Sequence, residues 1–75
     1  MEHPLIERNP QVMLGKPVIK GTRITVEHIM RKLADGFTVN DILEMYPHLT
    51  LPLIQAAFAY AADKIADEIV FEATA

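Results

Sequence analysis

The stretch Gly15-Lys16-Pro17-Val18-Ile19-Lys20-Gly21-Thr22-Arg23-Ile24-Thr25 divides the chain into two kinds of sequence. Glycine accepts positive φ and proline fixes φ, so Gly15-Lys16-Pro17 and Gly21-Thr22 are turn chemistry on either side of the short β-prone run Val18-Ile19. Upstream, Leu5 to Asn9 predicts a short edge strand ended by Asn9-Pro10, and Gln11 to Leu14 reads as a further β-prone run. The sum is a small ribbon of two or three strands. Downstream of Thr25 the apolar spacing becomes helical.

Thr25 is placed to cap a first helix in which Val26, Ile29, Met30 and Leu33 share one face, while Glu27, His28, Arg31 and Lys32 take the other. Gly36 ends it. Thr38 starts a second helix, with Asp41 in the first turn where the helix dipole favours an acid and Phe37 and Ile42 spaced as a hydrophobic staple. Pro47 stops that helix after Tyr46. Thr50 caps a third, with Leu49 and Ile54 as its staple and Pro52 tolerated in the first turn, where N–H groups lack intrahelical partners. Three short helices behind a ribbon predict a mainly α, trihelical helix-turn-helix domain with an N-terminal β arm, divided as 1–24 arm, 25–62 core and 63–75 helical extension.

At 75 residues there is one domain and one small core. Chains this short usually gain stability from disulfides, metals or association, and the sequence has no cysteine and no metal-ligand cluster. We therefore expect a homodimer or an obligate partner, and a cytoplasmic setting. Residues 1–10 have no apolar core of signal-peptide type, and the apolar tract Leu49–Ala62 is interrupted by Thr50, Pro52 and Gln55, so no membrane span is expected.

In a helix-turn-helix reading the recognition helix would begin Leu51-Pro52-Leu53-Ile54-Gln55, offering Gln55 to a base edge and no cation to a phosphate. That helix is apolar on nearly every side and is expected to be covered on every side, by the arm of its own chain or by another protein. Its candidate partner-binding residues, taken with those of the tail, are Leu53, Ala56, Tyr60, Lys64, Ile65, Ile69 and Val70. Beyond Ala62 an apolar stripe runs beside Asp63, Asp67, Glu68 and Glu72, and acids near a helix C-terminus oppose its dipole. Such a tail gains order by docking.

Charge is unevenly distributed. Residues 1–32 hold six cations against three acids, net +3, and residues 33–75 hold Lys64 against seven acids, net −6. If nucleic acid is bound, the candidate contacts are Lys16, Lys20, Arg23, Arg31 and Lys32, and a dimer would double the patch. The alternative is that these cations are solvated or paired. Arg23 reads either as an anchor for a carboxylate or phosphate or, preferably, as a tether to Asp41 or Glu44.

Catalysis finds little support, because the chain lacks serine as well as cysteine. His3 lies in a start that reads as disordered, and His28 and His48 stand far from it and from each other. Gly15-Lys16-Pro17 lacks the hydroxyl residue and the upstream glycine of a phosphate loop. No cofactor and no metal are expected.

Arg8-Asn9-Pro10, GKPVIKGTRITVEHI at 15–29, LADGFTVNDILEMYPHLT at 33–50 and IQAAFAYAA at 54–62 together resemble the small prokaryotic family known as domain of unknown function 433. The resemblance covers residues 6 to 62, and the ordered succession of motifs is more specific than any one of them. It implies a homeodomain-like trihelical fold. It also implies an antitoxin-like role against a small PIN-like nuclease toxin encoded alongside, with promoter DNA as a possible second ligand. The alternative is a dimeric DNA-binding regulator without a toxin partner. Antitoxins can neutralise a metal-dependent nuclease by placing a cation in its acidic site, and Lys64 is the one cation of the tail.

Overall fold

The computed structural model describes the backbone of residues 2–74 and the side chains of residues 2–67. Two strands, β1 (Ile6–Glu7) and β2 (Val18–Ile19), pair antiparallel with Ile6 opposite Ile19 and Glu7 opposite Val18. Three helices follow: α1 (Val26–Ala34), α2 (Val39–Met45) and α3 (Leu51–Thr74). The domain is thus mainly α and trihelical, with a β-ribbon arm. The extension at 63–74 is the second half of α3 itself.

The β-prone reading of Gln11–Leu14 is corrected by a 3-10 turn at Met13–Gly15. The Asn9 side chain accepts from Gln11 N at 2.9 Å, and the Asn9 carbonyl accepts from Val12 N at 2.8 Å, so the chain reverses at Pro10. Met13, Leu14 and Gly15 then take φ of 49°, 58° and 80°, left-handed values that cannot continue a strand. Arg8 Nε closes the loop by donating to the Gly15 carbonyl at 3.1 Å. Beyond β2 the chain doubles back. Thr22 Oγ1 donates to the Ile19 carbonyl at 2.8 Å and accepts from Ile24 N at 3.0 Å, and Ile19 N donates to the Ile24 carbonyl at 2.9 Å. β2 therefore has backbone partners on both sides.

The helix ends follow the sequence closely. Thr25 Oγ1 accepts from His28 N at the start of α1. At its end Phe37 N reaches the Lys32 carbonyl at 3.1 Å and Gly36 N the Leu33 carbonyl at 3.0 Å, a Schellman motif with Gly36 at φ 97°. The Lys32 ammonium sits 5.0 Å from the Phe37 ring centre, supplying the side-chain contact such a motif favours. Thr38 and Asp41 form a reciprocal capping box, Asp41 N donating to Thr38 Oγ1 and Thr38 N to Asp41 Oδ2. Thr50 Oγ1 accepts from Leu53 N at the start of α3.

The core takes about one residue from each segment: Ile19 from β2, Val26 and Ile29 from α1, Ile42 from α2, Leu49 before α3, then Ile54 and Ala57. Each fully buried isoleucine is worth about 1.5–3 kcal/mol in transfer terms. Ala57 has no exposed surface, so the absence of a longer side chain there lets α3 lie close to its neighbours. Within this single chain α3 buries fully only Ile54 and Ala57 among its described residues. The arm and α1 cover one side, and the other side is open.

Candidate functional site

Besides Pro52, Lys64, Ile65 and Asp67, which are also exposed, α3 presents one uncharged line of side chains. Leu51, Gln55, Ala59, Ala62 and Ala66 are all exposed and recur at spacings of four, four, three and four, which keeps them on one face. None carries a charge. An exposed helix face in a protein with 23% charged residues would ordinarily carry several, and small side chains here permit close approach of another backbone. Leu51 is 47% exposed at its N-terminal end.

On a different flank, Val26 and Met30 of α1, Lys16 and Pro17 of the arm, and Ala61, Lys64 and Ile65 of α3 enclose an apolar groove of about 520 Å³. It lies where α3 runs past the core, and Ile65 is half exposed there. Glu27 on its rim pairs with Lys16 Nζ and Arg31 Nε, each at 3.1 Å. Its carboxyl is held below the usual value chiefly by the hydrogen bond from Lys16, then by that from Arg31.

The five candidate phosphate contacts fall into three environments. Lys16 and Arg31 share Glu27, Lys32 lies over Phe37, and Lys20 and Arg23 are exposed at the turn after β2 with no ion pair among the described residues. The preferred tether from Arg23 to Asp41 or Glu44 is not formed. Thr22 fixes the Arg23 turn beside β1, where Arg23 lines a shallow hollow with Glu7 and Asn9, while Asp41 is engaged in its capping box. Glu44 and Asp41 instead border Phe37 and Met45 elsewhere on the surface.

Of the partner-binding candidates, Leu53 and Tyr60 are half buried against the core, Ala56 is half buried, and Lys64 and Ile65 are exposed. Ile69 and Val70 lie outside the residues whose side chains are described. The groove joins Tyr60, Lys64 and Ile65 to Lys16.

His3, in a segment whose sequence reads as disordered, is held against α3. His3 Nε2 donates to Asp63 Oδ2 at 2.6 Å, and its ring meets the edge of Tyr60 at 5.2 Å. The Lys64 ammonium sits 5.3 Å from the Tyr60 ring centre, so Tyr60 is fixed between them. No spacing announces a contact between residues 3 and 63. A separate pair, His28 Nε2 and the Tyr46 hydroxyl, shares a 2.6 Å hydrogen bond between α1 and the end of α2. Met13 and Leu14 add an exposed apolar tip to the arm, Leu14 being 92% exposed. Among the described residues no three acidic or histidine groups are placed to hold a metal, and no helix is long and apolar enough to cross a membrane.

This is the architecture of a small helical domain with a β arm. The family model described as a protein of unknown function (DUF433) matches residues 6–61, and the chain belongs to that family. A crystal structure of a DUF433 member protein from Anabaena variabilis superposes with a TM-score of 0.75 at 30% identity, covering 88% of this chain and 68% of that one. An uncharacterised protein of Sinorhizobium fredii, y4eO, is 33% identical over 57 residues, which are 76% of this chain and 26% of that protein. The chain thus spans about a quarter of that longer relative.

Proposed function

We propose that this chain is a protein-docking module of antitoxin type, which binds through the outer face of α3 and thereby masks a small PIN-like nuclease. The observation that carries the docking is the uncharged line Leu51, Gln55, Ala59, Ala62 and Ala66, left open over four turns of a helix already anchored by Ile54 and Ala57. A second helix laid along alanines approaches closely and buries apolar area without stranding a charge. The nuclease as partner rests on the family resemblance alone. Binding and not turnover is the chemistry such a face supports.

Co-expression with the product of the neighbouring open reading frame tests the reading. The tagged chain should capture that product and silence its ribonuclease activity, and Ala59→Glu with Ala62→Glu should release it by burying two unpaired carboxylates. Capture that survives both substitutions, or no capture of any neighbouring product, refutes the proposal.

Regulation of its own promoter is a second reading, favoured by the exposure of Lys20 and Arg23 at the arm turn. It requires DNA affinity that falls steeply with salt and is lost when Lys16, Lys20 and Arg23 become alanine together.

A further inference from the structure

The groove between the arm, α1 and α3 is a second surface, distinct from the outer face of α3. We infer that its occupant is the C-terminal half of α3 from a second copy of this chain, giving a two-fold dimer in which each copy fills the other's groove.

The groove's own composition states what it fits. Its floor is apolar, with Val26, Met30, Ala61 and Ile65, and its rim carries Lys16 and Lys64. Against these two cations stands the one carboxylate of the lining, Glu27, so the rim is net positive by one. The matching segment must combine apolar side chains with an excess of acids. Within this chain the stretch Ile65-Ala66-Asp67-Glu68-Ile69-Val70-Phe71-Glu72-Ala73 has that composition, with three acids and no cation; α2 carries a smaller set, Asp41 and Glu44.

Two features favour a second copy over an unrelated acidic helix. Ile65 belongs both to the groove and to the stretch that would fill it, so antiparallel α3 helices crossing near Ile65 place the same surface on both sides, as a two-fold interface requires. Lys64 of each copy then lies beside Asp67 of the other. Residues 62–74 also extend for about 20 Å at the helical rise. A groove alone is too small for a stable interface of about 800 Å² per partner, and a helix that length beside its twin supplies the remainder. The outer face of α3 stays free for the partner of the proposed function.

The test is the mass of the full chain in solution, by light scattering and sedimentation across a concentration series. A dimer is expected, weakened about 30-fold by Ile65→Asp, an effect at the lower edge of an interface hot spot. Lys64→Glu should also weaken it, and Asp67→Lys in the same chain should recover it. Ala59→Glu with Ala62→Glu should leave it intact. An unchanged circular dichroism spectrum for Lys64→Glu separates dissociation from unfolding. A chain that stays monomeric throughout, a dimer indifferent to Ile65→Asp and Lys64→Glu, or one dissolved by the Ala59 and Ala62 substitutions overturns the inference. Loss of nuclease capture with the dimer intact would overturn only the docking proposal.

Discussion

Replacing Ile54 by alanine tests the anchoring of α3. Ile54 has no exposed surface, and with Ala57 it forms the fully buried contact of α3 with the rest of the core. The change removes three carbon atoms, worth about 0.8 kcal/mol each in transfer, or roughly 2.4 kcal/mol. The cavity left behind raises the expected loss to about 3–4 kcal/mol. A domain of 75 residues holds about 4–11 kcal/mol in total, so this one side chain carries a large share of it. Thermal unfolding followed by circular dichroism should show a midpoint lower by about 12–32 °C. Leu51→Ala is the internal control, because Leu51 is 47% exposed on the same helix and should cost under about 1 kcal/mol. Equal losses for the two variants, or a loss below about 1 kcal/mol for Ile54→Ala, would refute the assignment of core and outer faces on α3.

Thr38→Ala removes half of the capping box and should cost about 1 kcal/mol in urea unfolding, most of it recovered by Thr38→Ser. Gly36→Ala forces a Cβ into φ 97° at the Schellman turn and should destabilise by about 1 kcal/mol, although open space surrounds that position; a gain in stability would contradict the geometry. Glu27 has a lowered carboxyl pKa in the folded chain, so its contribution is present above the ordinary value of 4.5 and is lost as pH falls through the lower folded value. The fall in thermal midpoint below that pH should flatten in Glu27→Gln. His3→Ala removes the clasp to Asp63, and the first five residues should then be cut faster by a nonspecific protease while the core midpoint moves little.

The three helices were legible because their ends carry their own chemistry. Thr25, Thr38 and Thr50 each accept from a backbone N–H three residues on, and Gly36 supplies the left-handed exit from α1. The Gln11–Leu14 segment was misleading for an equally local reason. Its residues are individually at home in strands, yet Asn9-Pro10 reverses the chain before they can pair, and the turn that follows depends on hydrogen bonds to Asn9 and Gly15. The partner-binding residues were half legible. An apolar helix pattern announces that a surface needs covering, but it does not say which side the arm takes.

The sequence by itself determined one small domain, its ribbon, its three helices, its charge partition and its family, since each follows from local propensity, capping or residue order. Only the tertiary structure decided which faces of α3 are open. The arm and α1 close over Ile54 and Ala57, His3 reaches across to Asp63, and Lys16 of the arm comes to line the same groove as Lys64 and Ile65. Those contacts join residues 60 and 48 positions apart, and periodicity along a chain carries no record of which distant segment packs against it.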